Sequence, residues 1–285
     1  MPRSSGYTTA LRNIGSIRNS GFELQLDGRI IDRAVKWDLG VNFSLNRSKV
    51  LVLSEDKDIF GGELDNTILK DQLNLMRVGE PMYVFYGYVE DGYDENGHIV
   101  YKNMDDDPAI TAADKTIIGD PNPDFLVNLT TAVSYKGFTL SAFFQSSIGN
   151  DIYSLSMAAL AYDYGYNGNT LREVYYNHWS PENPTAKYPN LDQTSYKMSD
   201  RFVYDGSFVR LKNLELAYDV PCARSKFIKR ARVYVSAQNL FTITSYPFWD
   251  PDINANGGGS AMIQGVDSYC YPSARTYTIG CRLTF

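Results

Sequence analysis

One stretch of twelve residues carries oxygen-bearing side chains at the spacing of a calcium-binding loop. It is Asn103–Asp114, with the sequence NMDDDPAITAAD. Calcium ions are bound by oxygen atoms, and the loops of helix–loop–helix calcium sites supply them from positions 1, 3, 5, 7, 9 and 12. The spacing predicts a calcium site whose ligands are Asn103, Asp105, Asp107, the backbone carbonyl of Ala109, Thr111 and Asp114.

Two residues of this stretch differ from the usual calcium loop. Pro108 stands at the sixth position, where such loops need Gly for a sharp turn, and a proline ring fixes φ at about −65°. Asn103 stands first, where Asp would add a negative charge. The alternative interpretation is an acidic, solvated loop that holds no ion, and the sequence favours this alternative.

Aromatic side chains that could stack on sugar rings are concentrated in the segment 148–206, and one more lies in 245–252. An aromatic ring offers a large apolar face, and Tyr and Trp add a polar group at its edge. These segments predict a substrate-binding surface that contains Tyr162, Tyr164, Tyr166, Trp179 and Trp249. The alternative is that these rings pack against one another or against a partner protein.

The sequence offers no recognisable catalytic site. His98 and His178 are the only histidines, and neither lies near a GxSxG nucleophile motif. The glycines at 257–259 lack the Lys-Ser/Thr pair of a phosphate-binding loop. The three cysteines are widely spaced and form no CxxC pair. We therefore expect no catalytic residue, no enzyme activity and no cofactor other than calcium.

Composition narrows the class of protein further. The 27 basic and 33 acidic residues give a net charge of −6, which disfavours a nucleic-acid partner. Hydrophobic residues make up 44% of the chain, yet no run approaches the roughly 18 apolar residues of a membrane-spanning helix. The 22 Tyr and 14 Phe favour a strand-rich protein, because aromatic residues are enriched in strands.

Long segments alternate between apolar and polar residues, which is the pattern of a strand with one apolar face. In Val35–Leu45 the odd positions are apolar and the even positions are mostly polar. About 9–11 residues suffice for a tilted strand to cross a bilayer, whereas soluble strands average about 5–6. The pattern predicts an all-β, antiparallel up-and-down sheet with strands at Gly21–Ile31, Val35–Leu45, Met82–Glu90, Phe125–Tyr135, from Phe138 onward, Phe208–Val220, Arg232–Thr242 and Arg275–Phe285.

The predicted connections between these strands differ in length. A two-residue hairpin at Lys136-Gly137 and the link 221–231 are short, whereas 148–206 and 243–274 are long. Outer-membrane barrels have short periplasmic turns and long extracellular loops. Counting back through the strands places 47–80 on the periplasmic side, where it is long for a turn. We therefore expect a further strand pair there, formed by Val50–Leu53 and Ile68–Val78.

Several stretches resemble the SusC/RagA family of TonB-linked outer-membrane proteins of Bacteroidetes. The final strand ends on the aromatic Phe285, and the other similar stretches are 13–24 (NIGSIRNSGFEL), 78–88 (VGEPMYVFYGY), 116–125 (TIIGDPNPDF), 207–218 (SFVRLKNLELAY) and 233–241 (VYVSAQNLF). The resemblance implies a 22-stranded barrel with long extracellular loops in the outer membrane. It also implies a SusD-like surface lipoprotein as partner, and import of glycan fragments or peptides driven by the TonB system through a plug.

The resemblance covers roughly the last third of such a receptor. Residues 1–285 are therefore expected to be one C-terminal segment of the barrel, without the plug domain and the N-terminal strands. An open sheet in lipid leaves unpaired backbone N–H and C=O groups along its edges, so we expect the segment to be inactive alone. The alternative from another class is a soluble or surface-exposed β-sandwich that binds carbohydrate.

Overall fold

Seven long antiparallel strands form one continuous sheet in the computed structural model. The structure describes residues 15–54, 57–65, 69–162, 169–222, 227–253 and 262–285. The strands are paired in chain order. They are β1 (Gly15–Asp32), β2 (Val35–Leu53), β3 (Phe125–Tyr135), β4 (Phe138–Ile148), β5 (Phe208–Val220), β6 (Arg230–Thr244) and β7 (Thr276–Thr284). None of the described helices is long and apolar enough to cross a membrane.

The register of the strands aligns apolar residues across one face of the sheet. Directly paired positions make a seven-residue row, one residue from each strand, that we call the apolar ladder. Its members are Ile31, Trp37, Val133, Leu140, Leu216, Val235 and Ile279. Since successive side chains of a strand point to opposite faces, Val127, Leu129 and Tyr135 of β3 share this face. Between the bulges of the sheet, the alternation seen in the sequence is thus preserved.

The opposite face of the sheet is polar. Another row of directly paired residues, which we call the polar ladder, crosses six strands through Gln25, Asn42, Asn128, Gln145, Arg210 and Thr242. Lower on the same face Arg29 pairs with Asp38 at 2.8 Å and Arg232 lies 3.4 Å from Glu215. Amides and ion pairs of this kind are suited to contact with water.

No second sheet packs against the apolar face within the described residues, and this overturns the β-sandwich alternative. The side chain of Leu140 is 47% exposed and that of Ile279 is 87% exposed. In a sandwich the two inner faces interdigitate to form the core. A soluble protein rarely leaves an apolar surface of this extent in water. The apolar face is therefore of the kind that contacts lipid in outer-membrane barrels.

The connections alternate strictly between the two ends of the sheet. The described parts of 54–124, 149–207 and 245–275 lie at one end, and those of 33–34, 136–137 and 221–229 lie at the other. The expectation that 47–80 lies at the short-turn end is wrong, because Met82–Glu90 does not cross the sheet. Only Val84–Gly87 is a strand there, and it belongs to a small separate sheet.

The expected strand pair within 47–80 is also wrong. Val50–Leu53 is the end of β2, and the region after it contains the short strands Lys70–Asp71 and Asn74–Met76. The physical reason is that Val84, Phe85 and Tyr88 are all buried in a core of their own. Their alternation reflects a small globular core, and it does not mark a sheet with one face in lipid.

The three long connections fold together into one module, which we call the cap. Every member of the main hydrophobic core belongs to it, including Phe85, Tyr153, Leu155, Met198 and Val266. A largely buried ion pair between Arg201 and Glu90, with a 2.7 Å hydrogen bond, joins the first two connections. The cap is therefore a folded unit.

The cap contains short helices and short strands. Its helices are α1 (Leu155–Ala161), α2 (Arg172–Tyr176) and the 3₁₀ turns Ala112–Asp114 and Asp200–Phe202. Its other strands are Ile59–Phe60, Leu64–Asp65, Glu90–Tyr93, Ile99–Tyr101, Thr116–Gly119, Asp151–Ser154, Val203–Asp205 and Val266–Asp267.

Candidate functional site

A polar pocket lies where the polar face of β5 and β6 meets the third long connection. Its volume is about 420 Å³. The strands contribute Arg210, Thr242 and Thr244, whose side chains lie on the polar face because of the strand alternation. The third connection covers these residues, and the remaining lining residues are Asn239, Phe248, Trp249, Asp250, Pro251, Pro272, Ser273 and Arg275. The pocket therefore lies between the polar face of the sheet and the cap.

Arg210 holds the third connection against the polar face of the sheet. Its side chain is buried, with 1% of the residue exposed, and its guanidinium pairs with Asp250. Nε donates to Thr242 Oγ1 at 2.9 Å, and the Nη1 atom donates to Ser273 Oγ at 3.2 Å and to Asp252 Oδ2 at 3.3 Å. Both ends of the connection are therefore held by one planar cation, which suits a guanidinium with its fixed fork of donors.

The carboxylate of Asp250 is kept charged by its hydrogen bonds. Burial alone would raise its pKa, because a charged group is disfavoured away from water. The backbone N–H groups of Ser273 and Asp252, each at 2.9 Å, and the guanidinium of Arg210 outweigh burial and lower the pKa of Asp250 below its usual value. The Arg210–Asp250 pair is consequently an ion pair at neutral pH.

The ring of Trp249 is the feature of the pocket that is suited to contact a ligand. The Trp249 side chain is 60% exposed, and its ring stacks on Phe248 with the centroids 4.7 Å apart. Asn239 lies at a bulge of β6 with φ at +51°, and its amide nitrogen donates to Ala274 O at 2.9 Å. Asn239 Oδ1 is buried and has no hydrogen-bond partner among the described residues.

The pocket offers a ring face for stacking and polar groups for hydrogen bonds, which are the features that a polar ligand with rings needs. The exposed indole of Trp249 and the cation Arg275 line the same cavity. In the described part of the chain no group of three or more His, Cys, Asp or Glu side chains is placed to hold a metal ion.

The other predicted sugar-binding aromatics have different surroundings. Tyr162 is 5% exposed, and its ring stacks on Tyr196 at 3.7 Å, which gives it a core position rather than a face open to a ligand. The Trp179 ring lies against Gly97, whose φ of +80° and close approach exclude a larger residue. Tyr164 and Tyr166 lie outside the described residues. Of the five, Trp249 alone lines the pocket described here.

The stretch predicted to bind calcium is organised by hydrogen bonds to its own backbone. The carboxylate of Asp114 accepts two backbone hydrogen bonds within the stretch. Its Oδ1 accepts from Met104 N and its Oδ2 from Thr111 N, both at 2.7 Å. Three further side chains each accept from the backbone N–H two residues later, namely Asn103, Asp105 and Asp107 at 3.1, 2.9 and 3.0 Å. Hydrogen bonds lower the pKa of Asp114, first that from Met104 and then that from Thr111. Calcium binding by these residues, with Ala109, stays a prediction.

Arg210 and Asn239 were not singled out from the sequence. A cation at a polar-face position of a long strand can be hydrated, so no sequence signal indicates that Arg210 is buried and paired. Its partner Asp250 is forty residues away and lies in irregular structure. Asn239 is placed by a bulge, which shifts the alternation by one residue. Neither the Arg210–Asp250 ion pair nor the position of Asn239 could be predicted from strand periodicity.

A long-stranded sheet with an uncovered apolar face, a polar opposite face and a folded cap over one end defines the wall of an outer-membrane β-barrel. No family model matches the chain. The chain is 33% identical over 307 residues to TonB-dependent receptor P3 of Formosa agariphila, across 100% of this chain and 30% of the relative. It is 28% identical over 285 residues to TonB-dependent receptor SusC of Bacteroides thetaiotaomicron, across 96% of this chain and 27% of the relative.

Solved structures give the same result. The RagAB peptide transporter matches with a TM-score of 0.80 and 26% identity, over 100% of this chain and 31% of that chain. The RagAB peptide importer in its "open-open" state matches with a TM-score of 0.78 and 27% identity. The chain is a SusC/RagA-type segment that corresponds to the C-terminal part of TonB-dependent receptors. It spans roughly 30% of the length of the curated relatives that it matches.

Proposed function

We propose that this chain supplies seven wall strands and the cap of an outer-membrane nutrient importer of the TonB-dependent type. The observation that carries the proposal is the apolar ladder, seven apolar residues in register on a face that nothing in the described structure covers. The polar ladder would then line an aqueous interior, as in wide barrels. The relatives are named receptors and transporters, which favours binding and import over catalysis.

A pair of neighbouring cysteine substitutions tests this orientation. Leu140→Cys lies on the apolar face and Ser141→Cys on the polar face of β4. The background carries Ser in place of Cys222, Cys270 and Cys281. After reconstitution into lipid vesicles, we expect a membrane-impermeant maleimide to label Ser141→Cys and to leave Leu140→Cys unlabelled. Equal labelling of both positions would contradict embedding of the apolar face in lipid.

We further propose that the pocket at Trp249 contacts the imported substrate, a glycan fragment or a peptide. Trp249 combines an exposed ring with neighbouring hydrogen-bonding groups, the combination that ring-bearing polar ligands require. Calorimetric titration with short oligosaccharides and with short peptides tests the site. We expect Trp249→Ala to abolish the response and Tyr175→Ala, an exposed aromatic of the cap outside the pocket lining, to keep it.

The same proposal assigns one partner to the cap and another to the polar face. The cap would face the cell exterior and dock with a SusD-like lipoprotein, through exposed rings such as Tyr175 and Tyr176 of α2. The polar face would surround a plug through which the TonB system acts. Co-purification tests the first contact: Tyr175→Ala with Tyr176→Ala should release the lipoprotein, and Trp249→Ala should retain it.

A further inference from the structure

Charge is distributed unequally between the three long connections and the rest of the chain. The three long connections contain 27 of the 33 acidic residues but only 10 of the 27 basic residues. The rest of the chain is therefore basic. Charge segregation on this scale creates a field that selects partners of the opposite sign. The end with the short connections is suited to an anionic partner.

Every short connection at that end presents a cation. Arg33 lies in the first, Lys136 in the second and Lys229 in the third, and Arg230 begins the strand that follows. All four side chains are exposed, and none forms an ion pair with another described residue. The acids nearby, Asp32 and Asp219, are already contacted by Arg29 and Arg232.

An apolar groove opens on the apolar face directly beside these cations. Its volume is about 510 Å³, and it is lined by Phe138, Leu216, Tyr218, Val233, Val235, Ile279 and Cys281. The Lys136-Gly137 hairpin closes one end of it, since Gly137 lies against the ring of Tyr218. Lys136 Nζ lies 5.2 Å above the ring of Tyr135. A cation thus stands at the mouth of a hydrophobic groove.

We propose that this end of the sheet binds anionic phospholipids, with the phosphate at the cations Arg33, Lys136, Lys229 and Arg230 and an acyl chain in the groove. The proposal rests on the proposed embedding of the apolar face in a membrane. Phospholipid is the occupant that satisfies both features at once, since it joins a negative headgroup to a long apolar chain. Basic residues beside a membrane surface attract anionic lipid in this way.

Headgroup preference is the measurement that tests the proposal. A receptor that contains these 285 residues as part of its barrel is reconstituted into vesicles of phosphatidylcholine that contain a small fraction of phosphatidylglycerol with the same acyl chains. The protein is then extracted with mild detergent, and the phospholipids that remain bound are quantified by mass spectrometry. We expect phosphatidylglycerol to be enriched about tenfold over its fraction in the vesicle, a modest value for four cations near the surface.

Two matched variants test whether the lipid preference depends on where the cations lie or only on the net charge of the protein. The first carries Arg33→Gln, Lys136→Gln, Lys229→Gln and Arg230→Gln. The control carries Arg18→Gln, Lys49→Gln, Lys102→Gln and Arg172→Gln, which removes the same number of exposed Arg and Lys residues near the long connections. We expect the first variant to lose the enrichment and the control to keep it. Equal losses in the two variants would overturn the proposal, because the effect would then follow net charge.

The groove has its own test. Cys281→Trp fills part of the space beside Val233, so we expect fewer phospholipids bound per protein with the preference for phosphatidylglycerol retained. Binding of both lipids without preference would overturn the headgroup site and leave the proposed membrane embedding intact. Failure to retain either lipid would contradict the embedding itself, so the two failures are distinguishable.

Discussion

The ring of Tyr234 lies across Gly280, its cross-strand partner on β7. A β-carbon at Gly280 would overlap the ring and the hydroxyl oxygen of Tyr234. An aromatic residue that covers a glycine in a neighbouring strand protects its backbone and pins the register of the pair. β7 makes strand contacts through β6 alone in the described sheet, so this contact matters for holding it.

Gly280→Val should therefore destabilise the β6–β7 pairing by about 1–3 kcal/mol, the usual cost of inserting side-chain atoms into a filled space. Gly28→Ala is the matched control, because a β-carbon at Gly28 meets no atom within 4 Å. Urea unfolding in lipid vesicles, followed by tyrosine fluorescence, measures the difference. A Gly280→Val protein as stable as the Gly28→Ala protein would show that Tyr234 moves aside without cost.

A charge placed on the apolar ladder should be far more costly than the same charge one residue away. Val235 lies on the apolar face of β6, and the neighbouring Ser236 lies on the polar face. Val235→Arg should cost about 2–4 kcal/mol if the position lies near the bilayer midplane. Ser236→Arg should cost less than half as much. Folding titrations into phospholipid vesicles measure both, and equal costs would mean that the two faces share one environment.

Strand periodicity was sufficient to predict most of the sheet. Phe125–Tyr135 and Phe208–Val220 have the predicted bounds, and Val35–Leu45 lies inside the longer β2. Each has one apolar face along its whole length, so the local pattern and the environment agree. Met82–Glu90 failed because its residues are buried on both faces in the cap. The sequence of a short segment that is apolar on both faces does not show whether the segment is buried in the main sheet or in a separate core.

The pocket could not be predicted in the same way. Trp249 was identified by its residue type, but the pocket depends on the pairing of Arg210 with Asp250 and on the bulge at Asn239. Both are tertiary features of irregular backbone, where hydrogen-bond partners follow no fixed spacing. Residue chemistry could indicate a binding side chain, but only the folded third connection shows what surrounds it.

Loss of the Arg210 guanidinium should release the third connection from the wall. Arg210→Met leaves the buried carboxylate of Asp250 without its cation, which typically costs about 3–5 kcal/mol. Hydrogen exchange should rise in 245–253 and stay unchanged in 99–101. Lys212→Met is the control, since Lys212 lies 3.9 Å from Asp252 and is more exposed. Unchanged exchange in 245–253 would show that the connection is held by packing alone.

The same pair should make the third connection sensitive to acid. The folded-state pKa of Asp250 is lowered from its usual 3.8, so its contribution to stability is fully present above about pH 3.8 and is lost as the pH falls through the lowered value. Pepsin cleavage within 245–253 should accelerate over that interval. Asp250→Asn should cleave faster at every pH and lose the pH dependence. A parent protein with a flat cleavage profile would contradict this linkage.

The stretch Asn103–Asp114 offers the last prediction, because its two interpretations differ in what calcium does. Asp114 accepts two backbone hydrogen bonds at 2.7 Å, so Asp114→Ala leaves two N–H groups without their acceptor. This should cost about 1–3 kcal/mol and expose the stretch to protease with or without calcium. Asp107→Ala removes a predicted ligand and a single hydrogen bond at 3.0 Å. If the stretch binds calcium, the ion should protect the parent protein from cleavage and give the Asp107→Ala protein no protection. If digestion of the parent is the same in calcium and in chelator, the stretch is a solvated acidic loop held by its own backbone.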